Sequence, residues 1–488
     1  MNVLYILSDQ HNPEYTGCFG RSITRTPNID RLAKLGTSFD STYCLSPICS
    51  PTRAAMITGR YVHEISVWDN AVAYNGVPMS FGHYFEEQGI HLTTIGKLDF
   101  EPDCKHGISE TRLAKHRENI DITSLYREQE ILPRYDLLSK HRATGPADSL
   151  ESYASDIAVV DETLRWFEEE PSKLGHPWVL VVNFNDLHRP WNPPQEIWDY
   201  YDKKILFEEL DERFIENFNN LHPSHRVFAR HHLGEIMSKE ETRRAVVGYH
   251  GSCEILDFHV GKVLEGLEMA GLWDDTLVVY SSDHGGTVGE HRNFDHGSMY
   301  EGSIRIPLIF CGPGIQAGIV NSNPVSALDI LPTITEAVGY NVPIQMRGNS
   351  LFKVLNGEVG TKSSDFAFCE YHGAGFDSSS FMVRFGALKL IECVGYRPML
   401  FNLLDDPYEL NDLAAPDSID SKSLGEINKL REILYSICSP EAVDFRAKAD
   451  QRRRRKEMEK DNSLYEALYK RGYEMNSEKL ILREEILS

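Results

Sequence analysis

Cys49, Ser50, Pro51, Thr52 and Arg53 combine residue types and spacing that suit a reactive group facing an anion. Pro51 is tolerated in the first turn of a helix, where a missing N–H breaks no bond, and a helix begun here sets Cys49 and Arg53 four apart on one face. The free N–H groups and the positive dipole end favour an anion beside the cysteine. Attack on a small tetrahedral oxyanion is the chemistry this predicts. Two further pairs, Asp9-Gln10 and Asp283-His284, offer two carboxylates, an amide oxygen and an imidazole. With one atom from residue 49 they would hold a divalent cation; oxygen donors suit calcium or magnesium, and the imidazole shifts the preference toward manganese or zinc.

Groups so far apart in sequence meet only if the fold brings them together. Val3 to Leu7, Trp178 to Phe184 and Leu277 to Tyr280 are short apolar runs that read as buried parallel strands, and each leads into polar residues: Asp9-Gln10-His11, Asn185-Asp186-Leu187-His188 and Asp283-His284. In open α/β sheets the site lies at the carboxyl ends of the strands, so these tails are expected to converge. Arg243 to Ala270 repeats apolar residues at helical spacing and is stopped by Gly271. Residues 355 to 365 read as a linker, and the alternating runs Ser380 to Phe385 and Leu388 to Ile391 predict a small antiparallel sheet after it. The expected division is a catalytic domain over 1–358, a small α+β domain over 359–430 and a charged helical tail over 431–488.

The 488 residues, 41% of them hydrophobic, are enough for one large core and a smaller one. Lys+Arg 50 against Asp+Glu 73 gives a net charge of −23, which disfavours nucleic acid and anionic membranes as partners. An anionic substrate must then be drawn in by a local positive pocket. Nine cysteines without C-x-x-C spacing argue against a disulfide framework or structural zinc. A strand-like run starts directly after Met1 with no signal-peptide pattern, and no apolar run spans a bilayer; the expectation is a cytoplasmic chain, or a periplasmic or secreted one if a leader was removed. The basic run Arg452 to Lys456 is expected to be a solvated helix face, with packing against a second subunit as the other reading.

The run from Pro47 through Cys49-Ser50-Pro51-Thr52-Arg53 to Thr58-Gly59-Arg60 resembles the signature of type I sulfatases. So do Gly96-Lys97, His188-Arg189-Pro190, the stretch from Asp283-His284-Gly285-Gly286 to Ile306-Pro307, and Leu400 to Leu410; the resemblance covers roughly residues 1 to 415. Within that family the chain is most similar to the arylsulfatase K type, uronate 2-sulfatases, through Gly96-Lys97-Leu98-Asp99, His291-Arg292, Ser298-Met299-Tyr300-Glu301 and Glu370-Tyr371-His372-Gly373. Choline sulfatases and phosphonate monoester hydrolases are more distant relatives of the same plan.

The resemblance implies an alkaline-phosphatase-like α/β/α sandwich with a mostly parallel sheet and a small C-terminal α+β domain. It implies that a maturation enzyme oxidises Cys49 to formylglycine, whose hydrate attacks sulfur with one hydroxyl and expels sulfate by deprotonation of the other. Asp9, Gln10, residue 49, Asp283 and His284 would hold one cation, calcium first and manganese second. Arg53 and Lys97 would neutralise the sulfate oxygens, and His188 would protonate the leaving alcohol. Asn70 is either a hydrogen-bond donor to the anion or a turn residue. His372, from the small domain, is a candidate substrate contact.

Two positions depart from the family. Asp99 stands where most members have histidine and is retained as a candidate base; His296 stands where most have a lysine on the sulfate. A cationic His296 predicts activity that falls as pH rises through neutrality, whereas a neutral donor predicts a changed substrate. The expected activity is hydrolysis of a sulfate monoester on a small molecule or oligosaccharide, with 2-O-sulfated uronic acid as the specific expectation. The alternatives are a phosphonate monoester or phosphodiester hydrolase, and a non-catalytic sulfosugar-binding relative.

Overall fold

The computed structural model describes residues 1–20, 23–117, 121–174, 177–358, 365–460, 463–476 and 479–483. Its centre is an eight-stranded sheet made of β1 (Asn2–Ser8), β2 (Thr37–Phe39), β3 (His91–Lys97), β4 (Glu110–Lys115), β5 (Trp178–Asn183), β6 (Thr276–Ser282), β7 (Leu308–Cys311) and β8 (Ile319–Asn321), in the spatial order β8-β2-β7-β6-β1-β5-β3-β4. From β6 through β4 every pairing is parallel; β7 alone runs against its neighbours. Residues of β1 are buried throughout: Val3, Tyr5 and Leu7 join the apolar cluster on one face and Leu4 and Ile6 the cluster on the other. A strand covered on both faces needs a continuous apolar run, which is why β1, β5 and β6 stand out in the sequence.

Three helices matter for the site. α1 (Cys49–Thr58) is buried along most of its length and ends at Gly59 in the left-handed conformation, φ 64°. α2 (Ala154–Glu169) and α3 (Lys239–Met269) pack on the sheet face that contains Leu4 and Ile6. α3 begins four residues before the predicted start because Ser238 and Glu241 form a capping box, each side chain receiving the other's backbone N–H.

The small domain is an antiparallel sheet of β9 (Phe366–Tyr371), β10 (Ser380–Phe385), β11 (Leu388–Cys393) and β12 (Met399–Asn402), with α4 (Ser421–Ile437) packed on it. Part of the predicted linker, 359–364, lies outside the described residues. The tail does not begin at 431, which falls inside α4, and it is not wholly helical. α5 (Pro440–Lys460) and α6 (Ser463–Lys470) lead into a hairpin of β13 (Tyr473–Asn476) and β14 (Lys479–Leu482). This segment packs on its own chain: Leu464, Leu468 and Tyr473 are buried with Ala71, Ile122, Leu125 and Tyr126. Gln451 Nε2 donates to Asp69 Oδ2 at 2.6 Å, and Trp68 Nε1 donates to Asp450 Oδ2 at 2.9 Å. The tail therefore braces the loop Trp68-Asp69-Asn70. No helix among the described residues is long and apolar enough to cross a membrane.

A buried ion cluster joins the small domain to the large one. His63 donates its backbone N–H and Nδ1–H to Glu370 Oε1 at 3.0 and 2.9 Å, and His372 Nε2–H donates to Glu370 Oε2 at 2.9 Å. Burial alone would raise the Glu370 carboxyl, but His63 and His372 outweigh it and bring it down to about 2, while Glu370 raises His63. A carboxylate lowered on folding stabilises above its unfolded pKa near ~4.5 and loses that contribution as pH falls toward 2; an imidazole raised on folding stabilises below ~6.5 and loses it as pH rises through the raised value. The two windows overlap between about pH 4.5 and 6.5. There Glu370→Gln is expected to lower unfolding stability by about 3 kcal/mol, with the difference from wild type shrinking on acidification toward pH 2. Denaturant unfolding of both proteins across that range checks it.

Candidate active site

Strands β6, β1, β5 and β3 are consecutive and parallel, so their carboxyl ends lie along one edge. Asp283-His284, Asp9-Gln10, the His188 loop and Lys97 follow or end these strands in that order. α1 enters from the same edge and points its first residue at them. Cys49 Sγ lies 3.3 Å from His284 Nε2, 3.6 Å from Lys97 Nζ, 3.9 Å from Asp9 Oδ1 and 4.0 Å from His188 Nε2. It is 2% exposed. Burial would raise this thiol, but Lys97 and His284 prevail and hold it well below the ordinary value. Its sulfur marks where a hydroxyl oxygen would sit if residue 49 were oxidised as the resemblance implies.

Arg53, one turn along α1, has an acceptor for each side of its guanidinium. Nε donates to Asp283 Oδ2 at 2.9 Å, Nη2 to Asp9 Oδ2 at 3.2 Å, and Nη1 to Lys97 O at 2.9 Å and Asn183 Oδ1 at 3.3 Å. Lys97 Nζ sits 2.5 Å from Asp9 Oδ2 and 3.2 Å from Asp99 Oδ2. Burial and the Cys49 thiolate push the Asp9 carboxyl up, but His188, Lys97 and Arg53 together hold it below the usual carboxylate range. Asp283 moves the other way, raised by burial and by Asp9.

The donor set fits a divalent ion. Asp9, Cys49, Asp283 and His284 present ligand atoms all within 4.8 Å of one another, and Gln10 Oε1 is buried with no hydrogen-bond partner. Gln10 reaches this place with φ 60°, its Nε2 donating to Asp295 Oδ1 at 3.2 Å. His284 Nδ1–H donates to Gly285 O at 2.8 Å, which turns Nε2 toward residue 49. Burial would lower His284, yet Asp283 and Cys49 raise it to about 10, so an arriving ion must displace its proton.

The structure thus brings together Asp9, Gln10, Cys49, Arg53, Lys97, His188, Asp283, His284 and His296. His188 Nδ1–H donates to Asn185 O at 3.1 Å, leaving Nε2 toward the pocket on a side chain 34% exposed. His296 packs edge-on against His284 at 4.7 Å, within ligand distance of Cys49. Burial lowers its imidazole, which favours the neutral-donor alternative over a cation at neutral pH.

The contacts of three further residues bear on their expected roles. Asp99 Oδ2 is shared between Lys97 Nζ at 3.2 Å and Arg117 Nη2 at 2.9 Å, so it positions both cations. Asn70 Oδ1 accepts the backbone N–H of Ser50 at 3.0 Å, so its carbonyl caps α1. His372 is fully buried with Nε2 on Glu370 and Nδ1 on Ser379 Oγ at 2.8 Å; it is a structural link, with neither ring nitrogen left for a substrate. Arg117, which sequence reasoning missed, donates from Nε to Ser50 Oγ at 2.9 Å and adds a cation beside Cys49. It follows β4 in no recognisable motif.

Comparison with known proteins agrees with this geometry. The family model described as "Sulfatase" matches residues 1–340, and a second, "N-sulphoglucosamine sulphohydrolase, C-terminal", matches 289–434. Arylsulfatase K of Bos taurus is 30% identical over 454 residues, 89% of this chain and 81% of that protein. The choline-sulfatase of Rhizobium meliloti is 28% identical over 93% of this chain and 90% of its own length. The solved structure of a 2-O GAG sulfatase superposes with a TM-score of 0.69 at 24% identity, covering 89% of this chain and 92% of that one. With an alkaline-phosphatase-like sheet, an antiparallel C-terminal sheet and a family model spanning most of its length, the chain belongs to the sulfatases, hydrolases of sulfuric esters.

Proposed function

We propose that this protein hydrolyses a sulfate monoester of a carbohydrate, specifically a 2-O-sulfated uronic acid, through a formylglycine made from Cys49 by a maturation enzyme. The observation that carries the reading is the position of Cys49 at the start of α1, with two carboxylates, His284, Lys97 and Arg53 around it. The uronate part rests on the likeness to arylsulfatase K and to the 2-O GAG sulfatase.

Residue 49, once converted and hydrated, would supply one hydroxyl to attack sulfur and a second whose deprotonation would release sulfate. Asp9, Gln10, Asp283 and His284 would hold a divalent cation, calcium given three oxygen ligands to one nitrogen, which lowers the pKa of the attacking hydroxyl. The chain's own groups do the rest. Lys97, Arg53 and Arg117 are fixed cations in a dry pocket, where they offset the sulfate oxygens with little reorganisation. His188, oriented by Asn185 O and facing outward, delivers a proton from Nε2 to the departing alcohol.

His188→Gln is accordingly expected to lower kcat by about 10²–10⁴ on sulfated sugars, whose alkoxides leave poorly, and by much less on nitrophenyl sulfate. Equal losses on both would remove the acid role. The function itself is tested by parallel assays of 2-O-sulfated uronate disaccharides, nitrophenyl sulfate and a phosphonate monoester. Preference for the phosphonate would overturn the sulfatase reading of the site; preference for another sulfated position would overturn only the uronate assignment. The intact mass of the Cys49 peptide from the native host reads the modification: conversion replaces one sulfur and two hydrogens by oxygen.

A further inference from the structure

The polar tail after β5 contains a residue the reaction does not use. Asp186 turns away from the active site and meets Asp156 of α2 and His259 of α3, with ligand atoms of all three within 4.8 Å of one another. All three residues are buried. Asp156 accepts the backbone N–H of Asn185 at 2.8 and 3.0 Å and that of Asp186 at 2.9 Å, so its carboxylate is already oriented. Asp156 and Asp186 also share a side-chain hydrogen bond, but both ring nitrogens of His259 and Oδ2 of Asp186 are buried with no hydrogen-bond partner.

Buried polar groups are almost always paired, because leaving one unpaired costs about 1–3 kcal/mol. His259 Nδ1 lies 3.5 Å from Asp186 Oδ2. That is beyond a normal hydrogen bond, but two ligands about 2.1 Å from one tetrahedral ion are separated by about 3.4 Å. We propose that Asp156, Asp186 and His259 form a second metal site, distinct from the Cys49 pocket, that takes a divalent transition-metal ion through two carboxylate oxygens and one imidazole nitrogen. A mixed oxygen and nitrogen set suits zinc or manganese better than calcium. Burial raises both carboxyls, Asp186 to about 7, so the metal-free site holds at least one proton that the ion replaces. Its role follows from position. The ion would tie α2 and α3 to the loop two residues before His188, fixing that imidazole from behind.

The test uses the full chain as Cys49→Ala, loaded with excess Ca2+ so that neither the thiolate nor the oxygen-rich pocket competes, and titrates Zn2+ by calorimetry. One Zn2+ per chain is expected, with a buffer-dependent heat from proton release. His259→Gln and Asp186→Asn in the same background are expected to weaken it more than about a hundredfold, since even changes outside the ligand shell cost 10–100-fold. Binding unchanged in both variants, or no binding at all, overturns the site. Should a variant fail to fold, zinc-edge anomalous diffraction from soaked unsubstituted crystals decides: a peak between Asp186 and His259 supports the site, and a water there, or zinc only elsewhere, refutes it.

Discussion

Cys49→Ser, produced in a host that converts the native residue, is expected to lose steady-state turnover by about 10⁴-fold or more while still accepting one sulfuryl group. Serine keeps one hydroxyl at the start of α1, surrounded by the same Lys97, His284 and Arg53. It can attack sulfur once. The resulting ester carries no second hydroxyl on the same carbon, so expulsion of sulfate has no route except attack by water on a buried, hindered centre. Mass spectrometry of the active-site peptide after incubation should show the addition of one SO3 group and no steady release of sulfate. Repeated turnover close to the parent rate would mean that the geminal diol is unnecessary.

Arg53→Ala should cost stability as well as rate. The guanidinium is the shared partner of Asp9 and Asp283, both fully buried, and its loss leaves Asp9 with Lys97 and Asp283 with the neighbouring His284 alone. Breaking a buried pair from one side costs about 3–5 kcal/mol, measurable by denaturant unfolding. Loss of a fixed charge beside the reacting sulfate should also lower kcat by about 10²–10³. Arg53→Lys would restore charge without the planar fork that reaches Asp283, Asp9, Asn183 and the Lys97 carbonyl together, so it is expected to recover only part of either loss. An Arg53→Ala protein as stable as wild type would show that Asp9 and Asp283 are not held by this side chain.

The pocket was legible in the sequence where local pattern carries chemistry. Apolar runs closed by Asp9, His188 and Asp283 announce strand ends, and neighbouring parallel strands must place those ends together. The Cys49 to Arg53 spacing announces a helix face. What was not legible depends on partners far away in the chain. Asp99 looked like an open base because Arg117 belongs to no motif, and His372 looked available because nothing in Glu370-Tyr371-His372 shows that His63 closes the ion cluster from the other domain. The basic run Arg452 to Lys456 is the outward helix face it was read as, with the Arg453 side chain 70% exposed, but nothing in it shows that Asp450 and Gln451 just before it meet the Trp68 loop. The start of α3 was readable but was placed late, since Ser238 and Glu241 spell the capping box before the apolar repeat begins.

That brace spans a long stretch of chain: Gln451 and Asp69 are 382 positions apart. The loop it clamps ends in Asn70, whose side chain steadies the first turn of α1. During synthesis, the segment around residue 49 leaves the ribosome well before Asp283, and before the helices that finally press on Trp68-Asp69. In the folded chain Cys49 is 2% exposed, so on the proposed maturation an oxidising partner would have to reach it before these late helices dock. Under that proposal a chain that folds past this point unconverted would be sound in shape yet inert, and the active fraction would depend on timing during translation as well as on sequence.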